Sequence, residues 1–333
     1  MDRMDFSQAV IRIKVLEKRL LSRARLERMV DAKDMDEVFK ILGETEYQQH
    51  LNSVARAEDY ENILSAELKR VYALMDELTG EKIISRLLSL KYDYHNLKVL
   101  IKEKVLGKPL THLIVPYGSL DLGKVRNAFV QEDFSDLDPI IGEAMRSTMN
   151  EFEKSGDPQL IDILLDRHYY RQLRSLADET EIPMFMDYVR NLVDFTNMKT
   201  LIRVKKMDKE IRFLDEVLLD GGSIPKEKIL YAINDSLDGI IDKFRKESIG
   251  KPLSEGLEAF RRTGRLSDFE KIIDNSIMGL NAPSKNIVFG PEPLFSYLSA
   301  KEAEIKALRI VMVSKINKLS PETIRERLRD LYV

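Results

Sequence analysis

Lys91-Tyr92-Asp93-Tyr94-His95-Asn96-Leu97-Lys98-Val99-Leu100-Ile101-Lys102 returns later in the chain as Leu192-Val193-Asp194-Phe195-Thr196-Asn197-Met198-Lys199-Thr200-Leu201-Ile202-Arg203. Each stretch spaces an aromatic and two apolar residues by three and then four (Tyr94, Leu97, Ile101; Phe195, Met198, Ile202), a single stripe along a helix. The first stretch continues a stripe through Ile83, Leu87 and Leu90. A separate one, Leu64, Leu68, Val71, Met75 and Leu78, ends before Gly80. Tyr188, Leu192, Phe195, Met198 and Ile202 keep the same rhythm, as do Ile305, Leu308, Met312 and Ile316. Sustained period-2 alternation is missing, and 15 Gly and 11 Pro are few for 333 residues. The predicted fold class is all-α.

Repetition extends beyond this block. Lys98 and Lys199 are 101 residues apart, and a degenerate third copy, Ala303-Glu304-Ile305-Lys306-Ala307-Leu308-Arg309, places Lys306 a further 107 residues on. Upstream, Leu21, Leu26, Val30, Met35, Val38, Ile41, Leu42 and Gly43 align at a constant offset of 99 with Leu120, Val125, Phe129, Phe134, Leu137, Ile140, Ile141 and Gly142. Ile224, Ile229 and Ile233 open a third copy; Leu319, Ile324 and Leu328 open a fourth. Ser22, Asp121 and Ser320 are cap-type residues at these openings, and Pro225 and Pro321 suit a first helical turn. The period exceeds the roughly 20–50 residues of solenoid repeats. Three similar helical domains are therefore expected, over 1–115, 116–219 and 220–318, with a helical tail at 319–333. Gly221-Gly222 is the linker between the last two.

Within the shared block, Asp93 and Asn96 lie three apart and so share a helix face, and Asp194 and Asn197 repeat the arrangement. One use would be a polar site built three times. The other is that each pair hydrogen-bonds a neighbouring helix or loop, as half-buried polar groups must. The second is preferred because the third copy replaces the pair. Asp93, Asn96, Lys98, Asp194, Asn197, Lys199, Glu304 and Lys306 are accordingly candidates for structural repeat positions.

Catalytic signals are missing. The absence of Cys excludes disulfides, thiolate metal sites and Cys nucleophiles. No phosphate loop, dinucleotide turn, zinc helix or nucleophile elbow occurs. His50, His95, His112 and His168 lack ligand spacing, and the 13 Met are dispersed, as core residues are. No catalytic residue, cofactor or metal is expected. A formal charge of −3 argues against a nucleic-acid partner. Arg12, Lys14, Lys18, Arg19, Arg23, Arg25 and Arg28 give the N-terminal helix a basic bias, and Asp31, Asp34, Asp36 and Glu37 follow at once; such a mixture is usually a solvated helix face, the alternative being a binding face for an acidic partner. Apolar runs such as Val71–Met75 fall far short of the ~20 residues a spanning helix needs. The opening, Met1–Phe6, does not read as a signal peptide, so a cytoplasmic location is expected, with any membrane contact made through a partner.

Gly290-Pro291-Glu292-Pro293-Leu294, followed by Tyr297-Leu298-Ser299-Ala300-Lys301-Glu302-Ala303-Glu304-Ile305-Lys306-Ala307-Leu308-Arg309, resembles the C-terminal signature of the C subunits of prokaryotic A/V-type ATPases, the counterparts of the d subunit in the vacuolar enzyme. The tail from Leu319 to Arg329 resembles the same family. The resemblance implies a funnel of three helical domains about a pseudo-threefold axis. It also implies a place on the cytoplasmic side of a membrane rotor ring of proteolipid subunits, where the funnel receives the central stalk as a socket and transmits torque for ion transport. It implies no active site. A helical scaffold or adaptor unrelated to ion pumping would explain the composition and repetition, but not the stretch from Glu292 to Arg309.

Overall fold

A computed structural model describes residues 2–52, 56–80 and 82–332. Among them there is no β-strand; the protein is all-α. The chain begins with α1 (Ser7–Glu17), α2 (Arg23–Asp31), α3 (Met35–Leu42), α4 (Gln48–Leu51) and α5 (Tyr60–Thr79). There follow α6 (Ile83–Leu106), α7 (Leu122–Gln131), α8 (Pro139–Ser155), α9 (Pro158–Thr180), α10 (Pro183–Lys206), α11 (Ile211–Val217), α12 (Lys226–Tyr231) and α13 (Leu237–Phe244). The last four are α14 (Gly250–Thr263), α15 (Leu266–Gly279), α16 (Glu292–Ile316) and α17 (Pro321–Arg327).

Local chemistry sets the boundaries. Ser22, Asp121 and Ser320 each accept a hydrogen bond from the first turn of the helix they precede, satisfying N–H groups that have no partner within the helix. Pro321 is the first residue of α17, whereas Pro225 stands one position earlier, as the residue before α12. Gly80 closes α5 at φ +61°, a conformation cheap only for glycine, and the apolar stripe resumes in α6.

The chain divides into two compact units. One joins the residues up to Ser85 with those from Asp274 onward, so both ends of the chain build it. Its centre is α16, in which every residue from Glu292 to Lys301 is buried. A helix buried all round belongs to a core, and α1, α2, α3 and α5 pack against it. The second unit spans Arg86–Ile273. There α9 packs against both α8 and α10, over a core that includes Leu165, Phe185, Phe195 and Met198. These units cut the chain at other places than the sequence repeats do, because each repeat's closing helix is held by the opening of the next.

Candidate functional site

The repeated polar positions lie on α6, α10 and α16, the closing helices of the three copies. On α6, the Asp93 carboxylate accepts hydrogen bonds from the Leu120 N–H (2.9 Å) and the Ser119 hydroxyl (2.8 Å). One turn on, Asn96 donates to the Val115 carbonyl (2.8 Å) and accepts from the Val115 N–H (2.9 Å). On α10, Asp194 accepts from the N–H groups of Ser223 (3.0 Å) and Ile224 (3.1 Å), while Asn197 makes the same two-way pair with Leu219, at 2.9 Å each. All four side chains are buried. Each pair thus straps the following loop to its helix and leads into the next opening, at Leu120 or Ile224.

Asp93 and Asp194 also explain two glycines. A Cβ on Gly118 would lie 2.1 Å from the Asp93 carboxylate, and one on Gly222 equally close to that of Asp194. Neither contact leaves room for a methyl group. Burial lifts both carboxyls above the usual aspartate range, against the lowering effect of the N–H groups they accept from.

The third copy reaches the equivalent opening with different side chains. In the register of Lys199 and Lys306, Lys301 takes the place of Asp194 and Glu304 that of Asn197. The buried Glu304 carboxylate accepts from the N–H of Leu21 (2.5 Å), the counterpart of Leu120, and from the Tyr47 hydroxyl (2.7 Å). Lys301, 1% exposed, donates to Glu304 (2.8 Å), faces the wholly buried Glu67 at 3.3 Å and lies over the Tyr47 ring. Arg70 closes on Glu67 with two bonds of 2.8 and 2.9 Å, and His50 contacts it at 3.2 Å. Burial alone would lift the Glu67 carboxyl, but Arg70, Lys301 and His50 hold it below the usual range. Burial likewise pushes the Lys301 ammonium down, and Glu304, Tyr297 and Glu67 outweigh that, holding it above the usual lysine value. With no aspartate to accommodate, the position two before Leu21 is Arg19, where the other copies have glycine.

A second contact recurs in the same order. Lys102 of α6 binds Asp162 of α9 (2.7 Å), Arg203 of α10 binds Glu270 of α15 (2.5 Å), and Arg309 of α16 binds Glu61 of α5 (2.6 Å). Lys102 and Arg203 are 101 residues apart, as are Glu61 and Asp162. Of the remaining sequence candidates, Lys98 pairs with Asp166 at 2.6 Å, Lys199 is partly buried, and Lys306 is exposed on α16. Periodicity did not single out Lys301, Glu67 or Tyr47, although Lys301 was open to view as a lysine in an aspartate's place.

The arrangement fastens helices and loops to one another, with no catalytic dyad or triad in it. Among the described residues no group of three or more His, Asp and Glu is placed to hold a metal, and no helix is long and apolar enough to cross a membrane. The family model of the ATP synthase (C/AC39) subunit matches residues 9–327. The chain belongs to that family. It is 27% identical to the C subunit of the V-type sodium ATPase of Enterococcus hirae, over 99% of each chain. It is 23% identical to the C subunit of the A-type ATP synthase of Methanocaldococcus jannaschii, over 96% of this chain and 85% of the relative. The corresponding A-type protein of Thermococcus onnurineus is 25% identical over 98% and 90%. Membership in the C/AC39 family makes the chain a non-catalytic subunit of an A/V-type ATPase or ATP synthase complex.

Proposed function

We propose that this C/AC39 family member is the socket that couples the central stalk of its complex to the membrane rotor ring of proteolipid subunits. It would sit peripherally on the cytoplasmic face of the membrane and transmit torque for ion transport. The observation that carries this reading is the order of the repeated contacts. The first copy's closing helix holds the second copy's opening, the second holds the third's, and the third holds the first's, through Asp93–Leu120, Asp194–Ile224 and Glu304–Leu21. The ion pairs of Lys102, Arg203 and Arg309 follow the same order. Head-to-tail contacts of one kind that pass from each copy to the next and return to the first fasten the copies to one another. Such a body suits a socket, because packed helical interiors deform little under load.

The test is reconstitution. Complexes assembled without the chain should keep ATP hydrolysis in the soluble head and stalk and lose ATP-driven ion flux, and flux should return when the chain is added back. Loss of hydrolysis by the soluble head on its removal would replace the socket with a catalytic or regulatory role.

A further inference from the structure

In the second unit, the closing helix α6 ends on an exposed apolar side chain, Leu106 (54% exposed), and α10 is followed at once by another, Met207 (58%). Both stand four residues beyond their register ion-pair cations, Lys102 and Arg203, so they occupy one repeat position. Each is followed in the next segment by another exposed apolar residue, Leu113 or Ile211. Within the first unit, Val313 holds the corresponding place four residues after Arg309 and is exposed too. Single exposed apolar residues are ordinary. The same position left open in successive copies is a pattern that scatter does not produce.

The surroundings are basic. Lys104 and Lys108 flank Leu106, Lys209 and Arg212 follow Met207, and all four are exposed with no ion pair among the described residues. Asp208 and Glu210 only partly offset them. A recess of about 490 Å³, lined by Lys205, Lys209 and Arg212 together with Asp208, Glu210 and Ile211 among others, opens in the segment that follows α10.

We propose that the ends of α6 and α10 are docking points for a polypeptide partner that presents an apolar side chain flanked by carboxylates. Opposite charge steers such an encounter and the apolar tip gains by leaving water. The inference rests on the reading that this protein works through contacts with other members of its complex.

Because the chain has no Cys, Leu106→Cys and Met207→Cys each give a unique thiol, with Val130→Cys, 82% exposed but outside this register, as the control. Each is labelled with a polarity-sensitive fluorophore and added to membranes that carry the rest of the complex but lack this chain. Parallel arms use the soluble head and stalk, and protein-free phosphatidylglycerol vesicles. Labels at 106 and 207 should shift to the blue and, with a photoactivatable cross-linker on the same thiols, join to a polypeptide in one protein-containing arm, while the label at 130 does neither. Lys104→Glu with Lys108→Glu, and Lys209→Glu with Arg212→Glu, should each weaken binding roughly tenfold and blunt its salt dependence. Rebinding without a response at either label overturns the docking points and leaves the socket standing. A failure to rebind to any fraction overturns both. An equal response to vesicles alone replaces the polypeptide with a lipid surface and overturns the proposal.

Discussion

Leu21 donates its backbone N–H to the Glu304 carboxylate across 283 residues of chain. Leu120 and Ile224, its counterparts, are held by aspartates only 27 and 30 residues away. The distant join therefore has the charged cluster of Lys301, Glu67 and Arg70 behind it, and the two local ones have a single carboxylate over a glycine.

Removing Glu304 should be severe. Glu304→Ala strands the Tyr47 hydroxyl and the Leu21 N–H in the core and leaves the Lys301 ammonium with Glu67 as its remaining carboxylate, a loss of about 3–5 kcal/mol for a broken buried pair. Urea unfolding measures it. Lys301→Met combined with Glu304→Gln should cost less than the sum of the two single changes, since the residues act as a unit. Additive costs would remove the pair as a unit.

Gly118→Ala and Gly222→Ala should each destabilise by roughly 1–3 kcal/mol through overpacking against Asp93 and Asp194. Gly279→Ala, with nothing within 4 Å of the added Cβ, should be neutral or stabilise by about 0.4–1 kcal/mol. Thermal denaturation of the three variants separates the outcomes.

The register ion pairs are partly exposed and should contribute little individually. Arg309→Met is expected to cost under about 1 kcal/mol, far less than Glu304→Ala. The swap of Glu61→Arg with Arg309→Glu should recover most of that cost in urea midpoints. An Arg309→Met loss as large as that of Glu304→Ala would show the pair to be a main support.

The two kinds of join should respond oppositely to acid. Glu67, held low, contributes stability that is present above about pH 4.3 and lost as pH falls through its native value. Asp93 and Asp194, held high, bind protons more tightly when folded, so their contribution rises as pH falls toward about 3.9. Lys301, held high, adds stability below about pH 10.4 that is lost as pH rises through its native value. Hydrogen exchange corrected for intrinsic rate should show residues 20–47 losing protection before residues 115–124 and 219–226 on acidification. The reverse order would contradict these assignments.

Helix identity was legible in the sequence because an apolar stripe needs only its own element: Gly80 and the resumption of the stripe at Ile83 mark the α5–α6 boundary directly. The repeat register exposed Asp93, Asn96, Asp194 and Asn197 for the same reason. What those side chains grip is not written in spacing. Val115 and Leu219 are loop residues whose backbone groups matter, and a backbone group leaves no residue-type signal. Tyr47, Glu67 and Lys301 lie on separate segments that only folding brings together. The contrast of Gly118 and Gly222 with Arg19 is visible in the letters, but its meaning needs the 2.1 Å approach of a carboxylate.

A compact unit made from both ends of one chain sets a schedule for synthesis. Leu21 and Tyr47 leave the ribosome long before Glu304, by roughly 15–60 s at about 5–20 residues per second. During that interval α2 and α3 carry Leu26, Val30, Val38 and Leu42 without the helix that covers them, while residues 86–273 can already collapse on their own contacts. Nascent chains stalled before α16 should therefore be held by chaperones at their first eighty residues, and early termination should yield aggregates rather than a shortened, working protein.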